Sequence, residues 1–132
     1  MENLRWNIRI SFLWVFIAVA MSAHLALYVF EPGAIEKITT GGWDLDEGMF
    51  VLLTLFWLVP LTMAVLSVSL KDLINRWTNI IVGLAAIGFS IAHFALCPLK
   101  EPSIHQFIIV GSSIIVAVLI LFLSLKWPKE KA

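Results

Sequence analysis

The chain carries a single cysteine, Cys97, so it can form neither an intramolecular disulfide nor a CxxC redox pair. That excludes the thiol–disulfide membrane oxidoreductases, which cycle electrons through at least two cysteines. Charge is scarce as well: 14% of the 132 residues are Asp, Glu, Lys or Arg, where a soluble domain has about a quarter. There is no glycine-rich phosphate loop, no HExxH and no basic cluster suited to nucleic acid. No catalytic motif is recognisable, and the reading leans away from an enzyme.

What the chain has in abundance is apolar side chains, at 61% of its residues, and a mean hydropathy of +0.97. A bilayer's hydrocarbon layer, about 30 Å thick, is crossed by about 20 mostly apolar residues in a helix. Four stretches meet that length, over residues 10–30, 49–70, 79–96 and 106–125. None alternates apolar with polar residues as a membrane barrel strand does. Backbone groups in lipid must be satisfied within their own segment, which leaves helices. The expectation is an all-α membrane four-helix bundle forming a single domain over residues 1–132. Residues 1–22 also allow a signal-peptide reading with cleavage after Ala20-Met21-Ser22, but the apolar run continues to Phe30, longer than a usual signal core.

Orientation follows from the basic residues. Arg5, Arg9, Lys71, Arg76, Lys126, Lys129 and Lys131 fall on one side of the four spans, Lys37 and Lys100 on the other. The basic side stays in the cytoplasm, so both termini are expected there and the acidic loop outside, in the cell's inner membrane. Trp6, Trp77 and Trp127 fit an aromatic belt at the inner boundary and Trp43 one at the outer. No span contains Asp or Glu. Small multidrug transporters, similar in size, use a carboxylate in the first span, so proton-coupled antiport is not the expected activity.

The residues with chemistry to offer cluster towards the outer side. His24 lies about four-fifths of the way up the first span, His93 near the outer end of the third, and His105 opens the fourth. An ionisable group inside a membrane is a functional candidate by default. Tyr28 follows His24 by one turn, and Ser90 precedes His93 by three residues. Facing each other at similar depth, His24 and His93 would suit a haem, a metal, a proton relay or a quinone contact. The simpler expectation is that each is a neutral ring bonded to a neighbouring helix as packing glue. Asp44, Asp46 and Glu47 supply the first third of a calcium loop and lack the rest, so capping and solvation explain them better. Pro60 should bend the second span. Residues 71–78 read as a tight inner turn in which Asn75 and Asn79 cap helix ends and Arg76 reaches headgroups.

Small residues recur every four positions at Ala18, Ser22 and Ala26, at Ala86 and Ser90, at Gly88 and Ala92, and at Ser113 and Ala117. Such spacing lets helices approach closely, within one bundle or between subunits. The favoured function is therefore an accessory, structural or transport-related membrane protein acting through helix packing. Its partners would be lipid and either further copies of itself or a larger membrane protein, and no cofactor is called for. The alternative is a redox, metal or haem subunit using His24 and His93.

Two strings carry a resemblance. One is Leu13-Trp14-Val15-Phe16 followed by Glu31-Pro32-Gly33. The other runs from Pro60-Leu61-Thr62-Met63 through Leu66-Ser67 to Asn75-Arg76-Trp77-Thr78-Asn79-Ile80-Ile81-Val82-Gly83. Together they resemble a family of small prokaryotic four-helix membrane proteins catalogued as a domain of unknown function. The resemblance covers nearly the whole chain. It implies the same fold and topology and brings no activity with it. Members of that family tend to carry an acid late in the first span and another before the proline, where this chain has Leu25 and Leu58.

Overall fold

A computed structural model describes residues 2–42, 46–97, 99 and 102–128. Asp44 and Trp43 of the acidic loop, and Lys100, Lys129 and Lys131 of the orientation count, lie outside the described residues. The regular structure among the described residues is entirely helical, in the order α1 (Glu2–Tyr28), α2 (Ala34–Thr39), α3 (Glu47–Ser69), α4 (Asp72–Leu96) and α5 (Ile104–Leu125). All but α2 are long and apolar enough to cross a membrane, running about 33–40 Å at 1.5 Å per residue.

Each long helix buries one stripe. In α1 the buried residues include Ile10, Trp14, Ile17, Met21, His24 and Tyr28, with Asn7, Ala18 and Ala20 beside them; the first six alternate steps of four and three, which hold one face of a helix towards its neighbours. In α5 the same rhythm picks out Gln106, Val110, Ser113, Ala117, Ile120 and Ser124. The remaining faces are apolar and exposed, as Phe12, Leu73, Ile81 and Ile108 illustrate. A water-soluble fold does not leave four such faces uncovered. α1 packs against α3 on one side and α5 on the other, and α4 packs against α5. α3 and α4, although consecutive, barely touch. The bundle is thus a curved row, α3–α1–α5–α4, with a seam left open between its two ends.

The core sits towards the end that holds the start of α1 and the end of α5. Ile10, Trp14 and Ile17 of α1, Met63 and Ala64 of α3, and Val116, Ala117 and Ile120 of α5 form one cluster, and Trp127 folds back to join it. Trp127 is therefore a core residue and not an exposed belt residue, while Trp77 keeps an exposed ring. Close approach of α4 to α5 is set at Gly83, where a Cβ would lie 3.6 Å from Ile120 Cγ2 and 3.8 Å from the Leu121 nitrogen. Of the small-residue steps, Ser113 and Ala117 are used inside the bundle, whereas Ser22, Ala26, Gly88 and Ala92 face outward.

The inner turn differs from its sequence reading. α4 begins at Asp72, so Asn75 and Asn79 lie in its first two turns as interior helical residues and cap no end of α4, although Asn75 Nδ2 serves the Ser67 carbonyl in the last turn of α3. Both are fully buried, and what makes this tolerable is a closed polar network. Asn79 Oδ1 accepts from the Trp14 indole at 2.6 Å and from the Ser67 hydroxyl at 3.2 Å. Asn79 Nδ2 donates to the Asn75 backbone carbonyl at 2.9 Å and to Asn75 Oδ1 at 2.7 Å. Asn75 Nδ2 donates to the Ser67 carbonyl at 2.6 Å. Every amide hydrogen and oxygen of Asn79 is thereby matched, so no desolvation cost is left standing. Arg76 reaches the Leu125 carbonyl at 3.5 Å, at the end of α5.

A candidate site where an apolar cleft meets paired histidines

The open seam between α3 and α4 is a cleft of about 280 Å³. Leu55, Phe56, Val59 and Pro60 form its α3 wall, and Val82, Ala85, Ala86 and Phe89 its α4 wall. Trp14, Ile17 and Met21 of α1 and Val110 of α5 form the floor. Pro60 sits inside a continuous α3 and is itself a buried wall residue. Trp14 ties this floor to the asparagine network, so the cleft rests on the most tightly bonded part of the bundle. The hydrogen-bonding side chains along the wall are Ser90 and His93, both on α4 and both towards the end away from the termini.

At that end the three histidines converge. His93 Nε2 lies 3.3 Å from His24 Nε2, with ring centroids 5.0 Å apart and planes inclined at 65°. A neutral imidazole donates from one nitrogen and accepts at the other, so the two rings share one proton between their Nε2 atoms. His24 is buried, and its Nδ1 has no hydrogen-bond partner. The His105 ring centroid is 6.2 Å from that of His24. His105 Nδ1 lies 2.7 Å from the Ser103 hydroxyl, and its Nε2 lies 3.5 Å from Glu31 Oε1. Gln106 Nε2 donates to the same carboxylate oxygen at 3.1 Å. Phe56 and Phe89 close the seam over the pair: their centroids are 3.9 Å apart and lie 5.6 Å and 6.3 Å from that of His93.

This arrangement has a definite chemical character. A low-polarity slot ends on His93, whose ring meets the buried His24; the His105 ring lies 6.2 Å beyond His24, and its Nε2 3.5 Å from a carboxylate at the α1–α2 turn. Two imidazoles holding one haem iron from opposite faces would stand about 4 Å apart, twice a metal–nitrogen bond of about 2 Å. At 3.3 Å the two Nε2 atoms are spaced for a hydrogen bond to each other. Among the described residues, no group of three or more His, Cys, Asp or Glu is placed to hold a metal ion.

Of the residues singled out from the sequence, the structure brings together His24, His93 and His105, with Tyr28 buried one turn beyond His24 and Ser90 buried on the cleft wall. Asp46 and Glu47 stand exposed at the start of α3. Asn75, Arg76 and Asn79 belong to the opposite end and serve the scaffold. Glu31, Gln106, Ser103, Phe56 and Phe89 were not anticipated. Gln106 had a signal, because it opens the four-three rhythm of the buried α5 stripe. Glu31 had none, since a loop acid reads the same whether it faces water or a histidine.

Fold and site together define a class: an all-α bundle of four apolar, membrane-length helices with a histidine cluster at one end. Within that class the chain belongs to a family of unknown function, DUF6326, whose sequence pattern covers residues 2–132. No curated protein and no solved structure matches it.

Proposed function

We propose that this chain is a multi-pass protein of the cell's cytoplasmic membrane, with both termini in the cytoplasm, that binds a lipophilic molecule in the α3–α4 cleft. The hydrocarbon part of the ligand lies along the seam, and its polar end meets Ser90 and the His93–His24 pair. The observation that carries this reading is the cleft itself. Two consecutive helices stay apart along an apolar wall that ends on Ser90 and the half-buried His93, whose Nε2 lies 3.3 Å from that of the buried His24. Ligand sites are mostly apolar concavities with a few convergent polar groups, and this one fits that description. A seam between two outward helices also gives a membrane-dissolved molecule a sideways entry. An accessory role through helix packing would use the outward Ser22–Ala26 and Gly88–Ala92 steps, since the Ser113–Ala117 face is used within the bundle.

The test is saturable photolabelling of the full chain in phosphatidylcholine nanodiscs with a diazirine-bearing decanol. Labels should map to Leu55, Val59, Ala85 and Phe89, and excess dodecanol should compete them away. Ala86→Phe, which fills the cleft, should abolish the saturable part. Ile115→Phe, on the exposed face of α5, should not. Labels spread evenly over all outward faces, with Ala86→Phe without effect, would sink the proposal.

A further inference from the structure

The cleft explains a hydrocarbon tail, and His93 alone would satisfy a hydroxyl head. The cluster is larger than that task requires. Three imidazoles from α1, α4 and α5 and a carboxylate from the turn after α1 line up from the cleft to the surface, with His93 Nε2 3.3 Å from His24 Nε2 and His105 Nε2 3.5 Å from Glu31 Oε1. The middle of this row is His24, with a relative exposure of 8% and a ring nitrogen, Nδ1, that no group in the bundle satisfies. A histidine kept for packing uses both nitrogens or exposes one; this one does neither.

Resting on the cleft reading above, we infer that the occupant is a hydrocarbon-tailed carboxylic acid, bound as its carboxylate against a His24–His93 pair that carries one extra proton, and that His105 and Glu31 connect the pair with water. The two rings already share one proton between their Nε2 atoms. With the N–H of the accepting ring, that makes two protons on a neutral pair; a third, taken up on binding, makes it a monocation whose charge matches one carboxylate. No covalent bond of the ligand changes. A proton leaves water, passes from the Glu31 carboxylate to the His105 ring, and reaches the pair, each imidazole accepting on one nitrogen and releasing from the other. The step from His105 to His24, 6.2 Å between centroids, is within the span of one bridging water. Around the pair, the titratable groups are His24 and Tyr28 from α1, Glu31 from the turn, His93 from α4 and His105 from α5. α3 faces it with Leu53, Phe56 and Trp57. A cleft of about 280 Å³ takes one alkyl chain, not two. A single carboxylate also suits a pair that gains a single proton, whereas a phosphomonoester brings about two charges.

The experiment compares dodecanoic acid, dodecanol and methyl dodecanoate as competitors of the diazirine label, using the full chain in phosphatidylcholine nanodiscs. The acid should compete at about tenfold lower concentration than the other two near neutral pH. A pH-indicator dye should report about one proton taken up per acid bound and none with the alcohol. The acid's affinity should then fall about tenfold per unit rise in pH over the range in which one proton is taken up, the slope of one linked proton. His93→Gln keeps a hydrogen-bonding head and should still bind the alcohol, but should lose both the acid preference and the proton uptake. Glu31→Gln should slow the uptake about tenfold in stopped flow. Equal competition by acid, alcohol and ester, or binding of the acid without proton uptake, overturns this inference and leaves the cleft reading intact. Uptake as fast in Glu31→Gln as in the unaltered chain overturns the route through Glu31. Competition by none of the three overturns the cleft reading itself.

Discussion

The indole of Trp14 donates to Asn79 Oδ1 at 2.6 Å across 65 positions of sequence. The same ring is part of the cleft floor, so one hydrogen bond joins the asparagine network to the candidate site. Asn79→Ala leaves the Trp14 N–H, the Ser67 hydroxyl and Asn75 Oδ1 without this partner in a buried place. It should cost about 1–3 kcal/mol, the penalty for orphaned buried polar groups. Reversible denaturation in mixed micelles measures it, and a loss too small to detect would show that the network contributes nothing net to stability.

Gly83 sets the approach of α4 to α5. A Cβ there meets its neighbours at ordinary contact distances, the nearest 3.6 Å away. Gly83→Ala should therefore fold with stability close to that of the unaltered chain. Gly83→Leu drives a larger side chain against the α5 backbone and should separate the two helices. Thermal melts in detergent distinguish the two, and equal melting of both variants would contradict the packing described here.

Phe56 and Phe89 bridge α3 and α4, helices that otherwise scarcely meet. An edge-to-face aromatic pair is worth about 0.5–1.5 kcal/mol beyond its buried area. A double-mutant cycle on Phe56→Ala and Phe89→Ala should return a coupling of that size. Spin labels placed on the outward faces of α3 and α4 should move apart in either single variant. Strictly additive effects and an unchanged distance would remove the pair as the contact that closes the seam.

The proposed orientation has its own check. In a Cys97→Ser background, Glu36→Cys on α2 should react with a membrane-impermeant maleimide added to intact cells. Lys71→Cys, at the turn between α3 and α4, should react only after permeabilisation. The reverse pattern would invert the topology and place the histidine cluster on the cytoplasmic side.

The helices were legible because their cause is one-dimensional. About 20 apolar residues in a row announce a membrane-length helix whatever surrounds them, and four of the helices are long and apolar enough to cross a membrane. The start of α4 was misjudged because Asn75 and Asn79 are poor helix-interior residues in isolation. The cost is removed only by Ser67 on α3 and Trp14 on α1, which composition does not reveal. Trp127 was misjudged likewise, since an interfacial tryptophan and one folded into the core have the same local sequence.

The candidate site was half legible. His24 and His93 stood out because an ionisable ring in an apolar run demands an explanation, and each lies on its helix's buried stripe. Whether two such stripes face each other depends on the order of helices around the bundle, which periodicity does not encode. The sequence by itself determined that there are four apolar membrane-length helices, because hydrocarbon length is a property of each segment alone. Tertiary structure decided that α3 and α4 stand apart and that His24 meets His93, because both are set by packing between segments far apart in the chain.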